Sequence, residues 1–267
     1  MADGAIAAGK KAGFEIDIVN VAQSSSDASA AAIDAASADP QVVGVVAAFL
    51  HPKENELNFA ALVKPFVTID GALGGDVGQI THIGSNDTAS GSQTAAYFDS
   101  INKKHALCLL VVADSLAASA NLPSSLSGRC AAAEAAFKGK FSVARVSTTA
   151  DIAAVLAADT TIDAVYGSGI MNAGRDPVAA LASLGTPDRA VSFVYHDLSG
   201  VVVEQLKAGK IDWLIDQQPF LQGYLSVVVL ALKINFGVAP LNKDILTGPI
   251  FYDKTSIELH DNTSIER

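Results

Sequence analysis

The sequence predicts an α/β protein made of two doubly wound lobes, each with a parallel sheet. Short β-branched runs alternate with Ala-rich segments of helical period along most of the 267 residues. Strands that are apolar throughout and alternate with helices are typical of parallel sheets covered on both faces. The rhythm is interrupted at residues 71–78 and 216–219, which favours two lobes over one wide sheet.

The individual elements follow from composition and punctuation. The predicted strands are residues 15–20, 42–48, 66–70, 106–113, 141–147, 164–167, 190–195 and 212–216, with a late strand around 246–251. The predicted helices are residues 3–12, 28–36, 55–63, 88–103, 125–138, 151–158, 177–184, 200–208 and 219–236. Glycines occupy the position after several helices, namely Gly13, Gly185, Gly209 and Gly237. Asp87, Ser124 and Ser199 stand where N-caps belong.

Composition excludes several classes of protein. A net charge of −10 with a sequence pI near 4.8 disfavours nucleic acid as a partner, because phosphate binding needs a basic surface. Two cysteines are too few for a disulfide scaffold or a Cys-rich zinc module. We expect Cys108 and Cys130 to be buried thiols, with a disulfide as the minor alternative. The most apolar stretch, residues 225–232, is about half of a bilayer span, so we expect no membrane insertion.

The motifs of catalysis are not found in the sequence. A G-x-G at residues 167–169 is followed by Gly174, two residues too late for a dinucleotide fingerprint. There is no G-x-S-x-G elbow and no histidine pair with metal-ligand spacing. His196 with Asp197 is an acid–base candidate, but a polar strand end with Asp197 as an acceptor is the favoured interpretation. We therefore predict a protein that is not an enzyme, with no catalytic residues, no metal and no cofactor.

Polar residues recur where predicted strands end. Asp70, Asp197 and residues 216–218 each close a strand, and Asp114 and Ser115 follow another. Carboxyl ends of parallel strands meet at one edge of a sheet, where such folds bind ligands. Carboxylates and amides suit the hydroxyls of a sugar, and Arg129 at a helix start would add donors. This pattern predicts a site for a polyhydroxylated ligand.

At this point five segments resemble one family, the type I periplasmic sugar-binding proteins, which are the ribose-binding-like solute receptors of ABC transporters. The most specific is I-D-Q-Q-P-F-L-Q-G-Y at residues 215–224, similar to the family's D-Q-Q-P-Y-L-Q-G-Y. The other segments are H-D-L-S at 196–199, T-H-I-G-S-N-D at 81–87, S-L-S-G-R-C at 125–130 and L-T-G-P at 246–249. They occur in family order from about residue 4 to residue 254.

The resemblance implies two flavodoxin-like lobes joined by three hinge crossings that close on a sugar. The lobes would comprise residues 1–85 with 218–247 and residues 86–217 with 248–267. Ligand contacts would carry over to a set of polar residues on both lobes, namely Asp70, Arg129, Asp197, Gln217 and Gln218, with Ser168 or Asn172 near a further family position. His196 replaces a usual Phe, which alters the surroundings of Asp197.

The start of the chain departs from the family. Members open with a strand that lies between the counterparts of residues 15–20 and 42–48, whereas this sequence opens in a helix. Three interpretations are open. The sequence lacks about 10–20 residues at its N-terminus, or another segment such as the C-terminal tail fills the gap, or the two flanking strands pair directly. We expect the first of these, with one wall of the ligand site missing.

Two functions follow from this reasoning. The first is a monomeric receptor for a sugar or sugar-like polyol, located in the periplasm or outside the cell by resemblance and read by an ABC transporter permease or a membrane sensor. The alternative is the effector-binding domain of a lac-repressor-type regulator, for which the sequence contains no basic DNA-binding head.

Overall fold

A computed structural model describes residues 1–21, 26–48, 59, 62–71, 77–112, 124–186 and 189–259. Its contacts divide the chain into two units. The first unit contains Met1–Ser85, Ser124 and Gln217–Gly248 among its described residues, and the second contains Asn86–Ala120, Ser125–Asp216 and Pro249–Arg267. The described backbone passes between them at residues 85–86, 124–125, 216–217 and 248–249.

The described elements alternate as the sequence predicts. The helices are α1 Ala2–Ala12, α2 Ser26–Ala38, α3 Asp87–Ser100, α4 Ser124–Ala136, α5 Thr149–Ala158, α6 Pro177–Ser183, α7 Gly200–Lys207 and α8 Pro219–Phe236. The strands are β1 Val45–Ala48, β2 Phe66–Ile69, β3 His82–Ser85, β4 His105–Val111, β5 Lys140–Val146, β6 Ala164–Gly167, β7 Ser192–His196, β8 Trp213–Asp216, β9 Asp244–Gly248 and β10 Ile250–Tyr252. The predicted helix at residues 55–63 lies mostly outside the described residues.

The first unit has a parallel sheet with the order β1-β2-β3-β9. Buried apolar side chains of β2 and β3, among them Val67 and Ile83, pack with Val229 and Leu230 of α8. Helix α1 lies against α8, where Ala5 and Ala8 contact Val227. Strand β3 is not among the strands predicted from the sequence, because a segment of four residues carries too little periodicity to be recognised.

The prediction of a strand at residues 15–20 is wrong, and so is its direct pairing with residues 42–48. The described backbone from Phe14 to Val21 forms no strand. Ile16 packs near Ala5 and Ala8, whereas Ile18 and Val19 are 47% and 70% exposed. Alternating β-branched residues favour extended backbone, but a strand also needs a hydrogen-bonded partner.

The second unit has a six-stranded sheet with the order β10-β8-β7-β6-β4-β5. All its pairs are parallel except β10 with β8. Strands β4, β6 and β7 are buried along their whole length, as expected for strands covered on both faces. The five parallel strands lie in the order β5-β4-β6-β7-β8, which is the doubly wound order of a flavodoxin-like sheet. The direction of winding reverses between β4 and β6. The predicted fold class is therefore confirmed for this unit by its topology.

The late strand predicted around residues 246–251 is two strands. β9 pairs with β3 in the first unit, and β10 pairs antiparallel with β8 in the second. Pro249 lies between them, and since proline has no N–H to donate, it separates the two ladders.

Cys108 and Cys130 form a disulfide, so the expectation of two buried thiols is wrong. Cys108 lies on β4 and Cys130 on α4, with their Cα atoms 5.7 Å apart. Both residues are buried, at 0% and 2% exposure. Burial of two cysteines is compatible with free thiols and with a disulfide. Only the packing of α4 onto β4 brings their side chains together.

Candidate functional site

The carboxyl edge of the second unit's sheet carries a group of buried polar residues at the switch point between β4 and β6. Ligands in doubly wound sheets bind at this point because the loops after the two strands diverge there. Helix α4 follows β4 in the chain and carries Arg129, and Ser168 directly follows β6. The predicted residues Arg129, Ser168 and Asp197 all belong to this edge.

Arg129 is the centre of the group. Its side chain is only 4% exposed, and its Nε donates to Asp87 Oδ1 at 2.6 Å. Its Nη1 donates to the Ser168 carbonyl oxygen at 2.7 Å. Burial by itself would lower the pKa of Arg129, but the negative charges of Asp87 and Asp197 outweigh it and raise that pKa. The guanidinium therefore stays charged and fixed in direction.

Asp87 belongs to this group of residues through its contact with Arg129, although its position in the sequence predicts an N-cap. The N-cap of α3 is Asn86, whose Oδ1 accepts from the Ala89 amide at 2.9 Å. Asp87 is the next residue, in the first turn of the helix, and its carboxylate is thereby available to Arg129. The one sequence feature that could have indicated this role is the pair Asn86–Asp87. Either residue is a good N-cap, so when Asn86 caps the helix, Asp87 is left for another contact.

Asp197 lies just after β7 with a positive φ of 70°, a conformation that Asp tolerates better than most residues. Its side chain is 23% exposed, and its Oδ1 lies 3.5 Å from His196 Nδ1. Its amide donates to the Ile215 carbonyl at 2.9 Å, which fixes the backbone at the end of the strand. Asp197 thus presents a partly exposed carboxylate, and its negative charge acts on the buried guanidinium of Arg129.

His196 lies beneath Asp197 and is fully buried. Its Nε2 lies 3.4 Å from Ser90 Oγ on α3. Burial lowers the pKa of His196, and the positive charge of Arg129 lowers it further, while Asp197 opposes both. The imidazole is therefore neutral near pH 7. Tyr166, on the neighbouring strand, is also fully buried, and burial raises its pKa well above 10.

Ser168 and Asn172 make local contacts. The Ser168 hydroxyl donates to the Leu109 carbonyl at 3.0 Å, so the residue links β6 to β4. Asn172 Oδ1 accepts from the Gly174 amide at 3.0 Å and closes the turn between residues 172 and 175. Ser168 meets Arg129 through its carbonyl, and a ligand contact by Asn172 stays a prediction.

The predicted residues of the first unit lie at its strand ends and chain crossings. Asp70 follows β2 with a positive φ of 67°. Gln218, with a φ of 55°, donates through Nε2 to the Thr247 carbonyl, and the Thr247 hydroxyl donates to the Gln217 carbonyl at 2.7 Å. These bonds tie together two of the segments that cross between the units. Ligand contacts by Asp70, Gln217 and Gln218 stay predictions.

Within the described residues, no group of three or more His, Cys, Asp and Glu side chains could hold a metal ion. One described helix, α8, has the length and apolar composition that a membrane span needs, and the core helix of a soluble protein passes the same test. In this chain α8 packs against α1, β2 and β3.

Comparison with known proteins places this geometry in a family. The family model described as "Periplasmic binding protein domain" matches residues 1–237. The chain belongs to this family, whose members are periplasmic or extracellular solute-binding proteins. The resemblance predicted from residues 215–224 and the other segments is confirmed. No curated protein matches the sequence.

Solved structures agree in fold. A carbohydrate transporter from Acidothermus cellulolyticus in complex with myo-inositol has a TM-score of 0.82 and 24% identity, over 99% of this chain and 92% of that one. A periplasmic ribose ABC transporter from Conexibacter woesei has a TM-score of 0.77 and 20% identity, over 97% and 88%. A periplasmic solute-binding protein from Actinobacillus succinogenes with bound D-allose has a TM-score of 0.77 and 16% identity, over 97% and 93%. These likenesses establish two doubly wound lobes as the fold class of the whole chain.

Proposed function

We propose that the protein is a receptor that binds a sugar or a cyclic polyol and presents it to a transporter or a sensor. The observation that carries the proposal is the carboxyl edge of the second unit, which carries both a buried, charged Arg129 and the partly exposed Asp197 carboxylate, whose negative charge helps to raise the pKa of Arg129. Similar folds with myo-inositol and D-allose bound support the class of ligand. Their being transport proteins favours this function over a transcriptional effector domain.

The chemistry of the edge suits hydroxyl groups. A sugar hydroxyl donates to a carboxylate and accepts from a guanidinium or an amide, so both kinds of group are needed in one place. Ion pairing with Asp87 holds the Arg129 head in one orientation before any ligand arrives. A group that is already oriented loses less conformational entropy on binding.

We further propose that the chain crossings at residues 85–86, 216–217 and 248–249 act as hinges. The lobes would then be residues 1–85 with 217–248 and residues 86–216 with 249–267. These bounds differ by one residue, at two crossings, from the lobes 1–85 with 218–247 and 86–217 with 248–267 that the resemblance implies. The hydrogen bonds between Thr247 and the pair Gln217–Gln218 support this, because they couple two of the crossing segments.

The Cys108–Cys130 disulfide supports a location in an oxidising compartment, that is, the periplasm or the cell exterior. Family membership supports the same location. We propose that the receptor is a monomer that works without catalysis and delivers its ligand to an ABC transporter permease or a membrane sensor.

The first prediction tests ligand binding. Isothermal titration of the full chain with myo-inositol, D-ribose, D-allose, D-arabinose and D-tagatose should give saturable heat with at least one of them. Asp197→Asn should weaken that binding by about 10- to 100-fold, because a hydrogen bond to a charged group contributes about 1.5–3 kcal/mol.

Glu134→Gln is the matched control, since it removes one negative charge from an exposed position on α4. It should leave the affinity unchanged. Absence of heat and of thermal stabilisation with all five ligands would reject the proposal, and so would equal affinities for wild type and Asp197→Asn. Turnover of a sugar by the wild-type protein would instead identify an enzyme.

A further inference from the structure

The disulfide and the Arg129 side chain are anchored to the same two residues of β4. Cys130, the neighbour of Arg129 in the chain, is bonded to Cys108. The Arg129 head donates to the Ser168 carbonyl, and the Ser168 amide and hydroxyl both donate to the Leu109 carbonyl at 3.0 Å. The backbone of Arg129 is therefore tied to Cys108 through the disulfide of Cys130, and its guanidinium is tied to Leu109 through Ser168.

This arrangement closes a small ring of contacts. It runs from Cys108 through the disulfide to Cys130 and Arg129, and then through Ser168 back to Leu109. The β4–β6 pairing, which aligns Cys108 with Tyr166 and Leu109 with Gly167, fixes the remaining side. Within this ring the disulfide is the covalent link that sets the distance between α4 and β4.

Helix α4 also packs on α3. A Cβ at Gly91 would overlap the Arg129 carbonyl oxygen and would lie 2.8 Å from the Ala133 amide nitrogen. The same helix α3 carries Asp87, which accepts from Arg129 Nε. A shift of α4 away from β4 would thus move Arg129 relative to the acceptors Asp87 and Ser168.

We propose that Cys108 and Cys130 are positioning residues, whose disulfide holds Arg129 in the orientation that the ligand site requires. The effect on affinity rests on the proposed function, whereas the effect on Arg129 itself does not. Removing the disulfide should loosen the Arg129–Asp87 and Arg129–Ser168 hydrogen bonds while the second unit stays folded.

The experiment compares wild type with Cys108→Ala/Cys130→Ala by NMR without ligand. In wild type the Arg129 Nε–H donates to Asp87 and is shielded from water, so its exchange with solvent should be slow. In the double variant that exchange should be at least tenfold faster. Dissociation constants for myo-inositol and the other four ligands form a second arm, with about tenfold weaker binding expected for the ligand that wild type binds.

The matched control is Leu156→Ala. Leu156 is fully buried on α5 in the core of the same unit, so its truncation lowers the stability of that unit without touching Arg129. Cys108→Val/Cys130→Ala refills buried volume and replaces the double alanine variant if the latter does not fold.

Equal Arg129 exchange in the cysteine variants and in Leu156→Ala would overturn the proposal, since the disulfide would then act only on stability. If wild type binds none of the five ligands, the proposed function fails, and the Nε–H exchange still decides whether the disulfide positions Arg129.

Discussion

The Arg129 guanidinium is buried, and a buried charge without a partner would cost several kcal/mol. Asp87 and the Ser168 carbonyl compensate for that cost in this chain. The positions of Arg129 and Asp197 at this edge could be predicted because they lie near a helix start and a strand end, whereas Ser168 was indicated only by the family resemblance. Asp87 could not be assigned to Arg129, because residues 42 positions apart become neighbours only through the packing of α3 on α4.

The second prediction concerns pH. The folded-state pKa of His196 lies below its ordinary value of 6.5, because the ring is buried and Arg129 lies nearby. Below about pH 6.5 the unfolded chain therefore binds more protons at this position than the folded chain. The contribution of His196 to the free energy of unfolding of the second unit should be complete above about pH 6.5 and should decrease as the pH falls towards the folded-state pKa. Each unit by which the pKa is lowered contributes about 1.4 kcal/mol to that loss.

Urea unfolding of wild type and His196→Phe between pH 7.5 and 5 measures this effect. Removing the imidazole should flatten the pH dependence. Because burial also lowers the pKa of His105, part of the slope should persist in that variant, and the slope should be smaller still in His105→Asn/His196→Phe. Identical slopes for wild type and His196→Phe would show that His196 does not titrate in this range.

Elements of this chain begin and end where local chemistry dictates. A capping box of Thr148 and Asp151 starts α5, and Gly237 in the left-handed conformation ends α8. The bounds of α8 agree with the prediction because Pro219 and Gly237 mark both ends. Residues 15–20 have the composition of a strand but form none. Strand pairing depends on which segment lies beside them and not on their own composition.

The third prediction tests the contact between two elements. Gly91→Ala places a methyl group against the Arg129 carbonyl where α3 meets α4. Overpacking should lower the free energy of unfolding by about 1–3 kcal/mol, although alanine favours a helix more than glycine does.

Gly128→Ala on α4 is the control, since nothing lies within 4 Å of a Cβ there. That substitution should raise the free energy of unfolding by up to about 1 kcal/mol. Urea denaturation of wild type, Gly91→Ala and Gly128→Ala measures these changes in the free energy of unfolding. Equal stabilisation by both would mean that α3 and α4 are less closely packed than the structure has them.

The two units differ in what holds their sheets together. The first has four described strands, and its edge strand β1 is half-buried and pairs along four residues with β2. The second has six described strands, a large continuous apolar core and the disulfide. We expect opening of the first unit to require less free energy than opening of the second.

The fourth prediction follows from this difference. Hydrogen exchange at increasing urea should release the amides of β1 at a lower concentration than those of β5. β5 is the matched reference, since it is also an edge strand but pairs with β4 along seven residues. Release of both strands at the same urea concentration would indicate that the two units unfold together.

The sequence by itself determined the fold class, the family and most elements, because apolar periodicity and punctuating glycines and prolines act locally. It also determined which kinds of side chain stand at the carboxyl edge of the second sheet. The tertiary structure alone decided the Cys108–Cys130 bond, the Arg129–Asp87 ion pair and the strands with which β9 and β10 pair. Each of these joins segments that are distant in sequence, so each depends on how helices and strands pack and not on any local pattern.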